Sequence, residues 1–206
     1  MSVRPLSGRY LSRRSRIILL AGGAAAALLT AGAVLVPEAT ALRADPGTGG
    51  TATLFSSDTV PGVTSFPDTA AVELGVRFAS EVPAVVTGVR FYQGEQNTGP
   101  HTASLWTATG DRLATGTVTP EPGTGWRTLT FDQPVPLTPG TTYVASYFAP
   151  QGGYAVDRDF FTTPLNASPL TAEVDAGVYS YGPHSAFPTD TYRSNNYYVT
   201  PVVALP

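Results

Sequence analysis

The chain has 206 residues, with 12 Lys plus Arg, 15 Asp plus Glu and no cysteine, which excludes thiol catalysis, disulfides and cysteine-ligated metal centres. It has no lysine, and beyond residue 41 seven arginines stand against fourteen acids, a formal charge of −7. Nucleic acid and anionic lipid surfaces are bound by clustered cations, so that balance argues against both partners.

Arg4, Arg9, Arg13, Arg14 and Arg16 precede an uncharged run from Ile17 to Val36. Pro37 ends the run, and Ala39-Thr40-Ala41 has the small-x-small form of a cleavage site. Residues 1–41 are therefore expected to form an apolar helix that serves as an export signal, leaving the working protein secreted or at the cell surface. The run of 20 residues also suffices to cross a bilayer. The alternative is an uncleaved anchor oriented by its arginines, the chain's one route to a membrane.

Residues 42–52 (LRADPGTGGTA) are rich in Gly, Pro and Thr and read as a flexible linker. Residues 53–206 read as one domain. Val72, Leu74, Val76 and Phe78 recur at period two, the pattern of a half-buried strand. Similar strands are expected at 85–92, 103–107, 112–119, 126–131, 142–149 and 197–203. Gly110-Asp111 gives a tight hairpin, since Gly tolerates positive φ. Pro201 places the last strand at an edge, where its missing N–H costs no ladder bond. Residues 151–195 are less regular and are expected to mix short strands with surface loops. No window after Ala41 has a sustained helical period. The expected fold is all-β: a two-sheet antiparallel β-sandwich, jelly-roll or immunoglobulin-like, preceded by the N-terminal apolar helix.

Candidate chemistry is sparse. His101 and His184 each follow Gly-Pro and are expected in turns rather than at a catalytic centre. Ser104, Ser146 and Ser185 lack a G-x-S-x-G setting. No zinc spacing occurs. Asp157 and Asp159 flank Arg158 and on a strand would share a face, a weak calcium candidate. Glu73, Glu95, Glu121 and Glu173 are carboxylates that nothing in the sequence pairs. No cofactor is implied.

The aromatics carry the functional hint. Of nine tyrosines after residue 41, eight lie between Tyr143 and Tyr198. A tyrosine ring can stack on the C–H face of a sugar while its hydroxyl bonds at the rim. Tyr154, Tyr179, Tyr181 and Tyr192 fall in the irregular part. Tyr92 and Trp106 alternate with inward residues and are expected to face outward, so these six are the candidate ligand-binding residues. Burial of the same rings beneath loops that cross a sheet face is the competing reading.

The stretches AVELGVRF (71–78), TGVRFYQGEQNTGPH (87–101), SLWTATGDRLAT (104–115), GWRTLTF (125–131), LTPGTTYVASYFAP (137–150), GVYSYG (177–182) and FPTDTY (187–192) together resemble the bacterial "domain of unknown function 4082" family. The resemblance implies a β-sandwich module of exported or surface proteins and brings no agreed activity. The family's last strand reads asparagine-tyrosine-tryptophan-valine-aspartate. Here it is Asn196-Tyr197-Tyr198-Val199-Thr200, which would alter a site that used the indole or the carboxylate.

These readings give a non-catalytic secreted or cell-surface module that recognises polysaccharide, or another cell-envelope component, through exposed aromatics. The alternative is an envelope adhesion module that binds protein. A hydrolase is the least supported reading, because no catalytic motif is present.

Overall fold

A computed structural model describes residues 49–118 and 122–206. The apolar helix, its role as signal or anchor, and most of the linker lie outside the described residues. Eleven strands are seen among the described residues. In chain order they are β1 (Thr51–Ala52), β2 (Val72–Ser80), β3 (Ala84–Gln93), β4 (His101–Thr107), β5 (Arg112–Val118) and β6 (Gly125–Leu137), then β7 (Tyr143–Ala149), β8 (Leu165–Ala167), β9 (Leu170–Ala172), β10 (Gly177–Tyr181) and β11 (Val199–Ala204). A 3-10 turn spans Phe160–Thr162. Among the described residues no helix is long and apolar enough to cross a membrane.

The strands form two antiparallel sheets. One runs β1-β11-β3-β6 and the other β5-β4-β7-β2-β9-β8, with β10 also paired to β2. Alternation in β2 explains why the layers close on one another. Val72, Leu74, Val76 and Phe78 enter the core with Ala103 and Leu105 of β4 and Tyr143, Ala145 and Tyr147 of β7. The opposite sheet contributes Val86, Val89, Phe91, Leu129 and Val203. Each fully buried side chain of this size contributes roughly 1.5–3 kcal/mol, which fixes the register, since a one-residue slip would turn the apolar row to water.

All seven expected strands form. Gly110, at φ 98, makes the β4–β5 turn, with its amide donating to the Thr107 carbonyl at 3.2 Å. β1 covers only Val203 and Ala204 of β11, so Pro201 lies on a stretch of β11 that β1 leaves unpaired. Thr51 and Ala52, assigned to the linker, are the residues of β1.

His101 corrects the expectation of a turn. It opens β4 and is fully buried. Its Nδ1 lies 3.0 Å from the Phe148 carbonyl oxygen and its Nε2 lies 3.3 Å from that of Asn97. Burial holds its pKa below the ordinary imidazole value although both carbonyls favour the cation. The ring meets Phe91 and Tyr147, which stack on each other with centroids 4.1 Å apart. It packs in the core.

Candidate functional site

The site grows from the half of β2 that β9 does not reach. β10 pairs with β2 there, from Gly177↔Val76 to Tyr181↔Val72. The strand period turns Val178 to the outer face and Tyr179 toward the sandwich interior. Tyr181 follows Tyr179 at the same period, and their centroids are 5.6 Å apart. The ring contacts continue from Tyr179 to Tyr197 (6.2 Å), from Tyr197 to Tyr154 (5.9 Å) and from Tyr154 to Phe66 (5.7 Å). Five rings thus form one continuous wall. With Tyr192 they border a cavity of about 220 Å³, floored by Val72, Leu74 and Val156, with Arg158 and Asn195 as its other polar side chains.

Asp68 pins this wall from behind. Its Oδ2 accepts from Tyr181 Oη at 2.5 Å and Tyr154 Oη at 3.2 Å, while its Oδ1 accepts from the Ala70 amide at 2.9 Å. Burial opposes its ionisation, but the bonds from Tyr181, Ala70 and Tyr154 outweigh that and hold its pKa below the usual value. Burial first, and then the Asp68 charge, push the Tyr181 hydroxyl above its ordinary range. Burial alone leads the rise of Tyr197, to about 12. These phenols therefore stay protonated near neutrality.

The backbone around the cavity is conformationally demanding. Asp159, Asp175, Arg193, Ser194 and Tyr198 have φ between 47 and 56, and they are the positive-φ non-glycine residues among the described residues. All lie between residues 159 and 198. Such conformations persist where surrounding contacts over-determine them, which keeps these loops preformed. Ser194 Oγ bonds Asp175 Oδ1 at 2.6 Å, and the Tyr198 amide donates to Asn196 Oδ1 at 2.8 Å.

Four of the six aromatics named from sequence meet here: Tyr154, Tyr179, Tyr181 and Tyr192. Tyr181 and Tyr192 are more than half exposed, at 52% and 53%, whereas Tyr154 is buried in the cavity wall. Tyr92 and Trp106 are corrections. Both turn to outer sheet faces, but neither is exposed, at 7% and 4%. Tyr92 packs against Trp126, Ala155 and Tyr198. Trp106 packs against Val144, Val178 and Phe187 beneath the 182–189 loop, with the Arg112 guanidinium 4.3 Å above its ring. Chain that returns across each sheet face seals the rings.

The two carboxylates of the calcium candidate have separate surroundings. Asp157 accepts from the Gly62 amide at 2.9 Å and from the Tyr198 hydroxyl. Asp159 pairs with Arg193 at 3.0 Å. The two carboxylates thus serve different neighbours, and no group of three His, Cys, Asp or Glu suited to a metal occurs among the described residues. Tyr198 and Thr200 are the two positions at which the sequence was expected to depart from the family it resembles. Tyr198 lies in the Tyr92–Ala155 cluster, and Thr200 Oγ1 accepts from the Leu54 amide at 2.7 Å. Neither lines the cavity.

Sequence reading missed Phe66, Arg158, Asn195 and Tyr197 at the cavity. It named Glu73 among the unpaired carboxylates without its burial or its partner: Oε1 accepts from Ser146 Oγ at 2.6 Å. Ser146 in turn accepts from Trp106 Nε1 at 2.7 Å. Strand alternation puts Glu73 on the outer face, and only the covering loop makes that face an interior.

Fold and site define an all-β, two-sheet module with a tyrosine-walled cavity at the paired β2–β10 edge. The chain belongs to the family described as Domain of unknown function (DUF4082), whose model matches residues 58–199. No curated protein matches it.

Proposed function

We propose that the domain is a non-catalytic binding module that works outside the cytoplasm and takes one sugar ring of a polysaccharide into the tyrosine-walled cavity. The carrying observation is the convergence of five rings and Tyr192 on one concavity in a preformed loop framework. Its volume is below the ~300–1,000 Å³ typical of pockets for larger small molecules, which suits a single pyranose rather than an extended chain lying flat. Apolar faces with hydroxyls at their edges match the C–H faces and equatorial hydroxyls of a sugar. Export of the domain rests on the arginine-led apolar segment at residues 1–41.

Binding of the purified domain to peptidoglycan, chitin and cellulose, followed by a glycan array, tests this reading. Retention on at least one glycan is expected. Tyr181→Ala and Tyr192→Ala, at exposed rings, should each weaken it roughly tenfold, the effect of losing about 1.4 kcal/mol of contact. Retention that both substitutions leave unchanged would count against the cavity. No retention on any glycan would remove the proposal.

A further inference from the structure

Two non-aromatic polar side chains line the cavity, Asn195 and Arg158, and the charge of the second narrows the sugar. Asn195 is buried, at 6% exposure, and its Oδ1 has no hydrogen-bond partner among the described residues. Its Nδ2 faces Tyr197 Oη at 3.5 Å. The Oδ1 atom is closed to solvent, so a ligand in the cavity meets Asn195 through its other atoms.

Arg158 is the second group. Its guanidinium lies 5.7 Å from the Phe66 ring centroid and has no hydrogen bond or carboxylate partner among the described residues. Four of the other arginines after residue 43 bond oxygen atoms. Arg77 bonds the Asp175 and Thr189 carbonyls, and Arg112 bonds Ser185. Arg127 bonds Pro122 and Gly123, and Arg193 pairs with Asp159. Arg90, over Trp126, likewise has no hydrogen bond or carboxylate partner among the described residues, but it does not line the cavity. Both acids adjacent to Arg158 in sequence are committed elsewhere, Asp157 to Gly62 and Tyr198, Asp159 to Arg193. Asp68, behind the tyrosine wall, already holds three donors. A cation thus lines the cavity with no anion of the chain assigned to it.

We infer that the ring taken by this cavity is an acidic sugar, a pyranose bearing a carboxylate, with Arg158 pairing the carboxylate. The inference rests on the glycan reading above and adds the charge of the ligand. A planar guanidinium matches a carboxylate in two parallel hydrogen bonds. In a chain this acidic, an anion has no general electrostatic reason to approach, so selectivity for it must come from a local cation.

Calorimetric titration of the purified domain distinguishes the outcomes. The probes are oligogalacturonate, oligoalginate and hyaluronan fragments, each beside its carboxyl-reduced form. At least one acidic probe is expected to bind tenfold or more tightly than its reduced counterpart, with the difference shrinking as salt rises. Arg158→Gln, at an exposed side chain, should bring the two forms to equal affinity without moving the thermal midpoint. Asn195→Asp should weaken the acidic probe further, since it sets a like charge against it. Equal binding of acidic and reduced forms, or a preference that survives Arg158→Gln, overturns the acidic-sugar inference and leaves glycan binding standing. No binding of any probe overturns this inference, whereas the glycan reading falls only if peptidoglycan, chitin, cellulose and the array are silent too.

Discussion

Burial raises the Glu73 carboxyl from 4.5 to about 7, although Ser146, Ser185, the Arg112 charge and the Ala186 amide all favour its ionised form. Its Oε2 has no hydrogen-bond partner among the described residues, so the charged form is left half-satisfied. The sign of the stability effect follows. Below pH ~4.5 the group is protonated both folded and unfolded. Between about 4.5 and 7 the folded state keeps a proton that the unfolded chain releases, so stability falls as pH rises, then levels off. The total is on the order of 3 kcal/mol. Urea midpoints measured from pH 4.5 to 7.5 should therefore decline for the native chain relative to Glu73→Gln, whose neutral amide removes that slope. Parallel curves would show that the carboxyl ionises freely when folded. Trp106→Phe deletes the donor to Ser146 while keeping most of the ring, and should lower stability by about 1 kcal/mol in the same assay.

The decisive element is β10. It runs beside β2 on one face and touches the Asn195 segment on the other. Gly177 permits that contact, because a Cβ there would lie 1.8 Å from the Asn195 carbonyl oxygen, and this backbone cannot swing aside as a side chain would. Gly177→Ala should cost about 1–3 kcal/mol by overpacking and should weaken glycan binding in the protein that still folds, since Asn195 must shift. Gly182→Ala is the matched control at the other end of the element. Its Cβ would meet nothing within 4 Å, so denaturation and binding should both stay within ~0.5 kcal/mol of the native values. Equal losses at both positions would refute the close-approach argument. The strap after β10 belongs to the same unit. Arg112 holds it through Ser185, at 3.1 Å to the carbonyl, and Asp190 pairs back onto Tyr179.

At the scale of the whole molecule, the pairings join distant parts of the chain. Thr51 faces Ala204, and β2 takes partners from β7, β9 and β10. Loop closure must precede most of the favourable contacts, which slows folding in all-β sandwiches. Stopped-flow refolding followed by the Trp106 and Trp126 fluorescence should give a main phase in the millisecond-to-second range. A microsecond phase carrying the full amplitude would mean that local structure dominates.

Period-two alternation from Val72 to Phe78, with its counterparts in six later segments, was enough to establish an all-β domain with two facing layers, because a strand with one apolar face must bury it against another sheet. The tyrosine-rich character of residues 151–198 was equally plain in one dimension. Which rings face the cavity was decided in three. Tyr92 and Trp106 obey the same alternation as any outward residue, yet chain from remote positions returns to cover them. Tyr154, Tyr179, Tyr181 and Tyr192 converge because β10 docks on β2 and left-handed turns hold the loops between. Arg158 and Asn195 gave no local signal at all. Their place at the cavity is set by elements distant in the chain, and such convergence is a property of folded space, not of residue order.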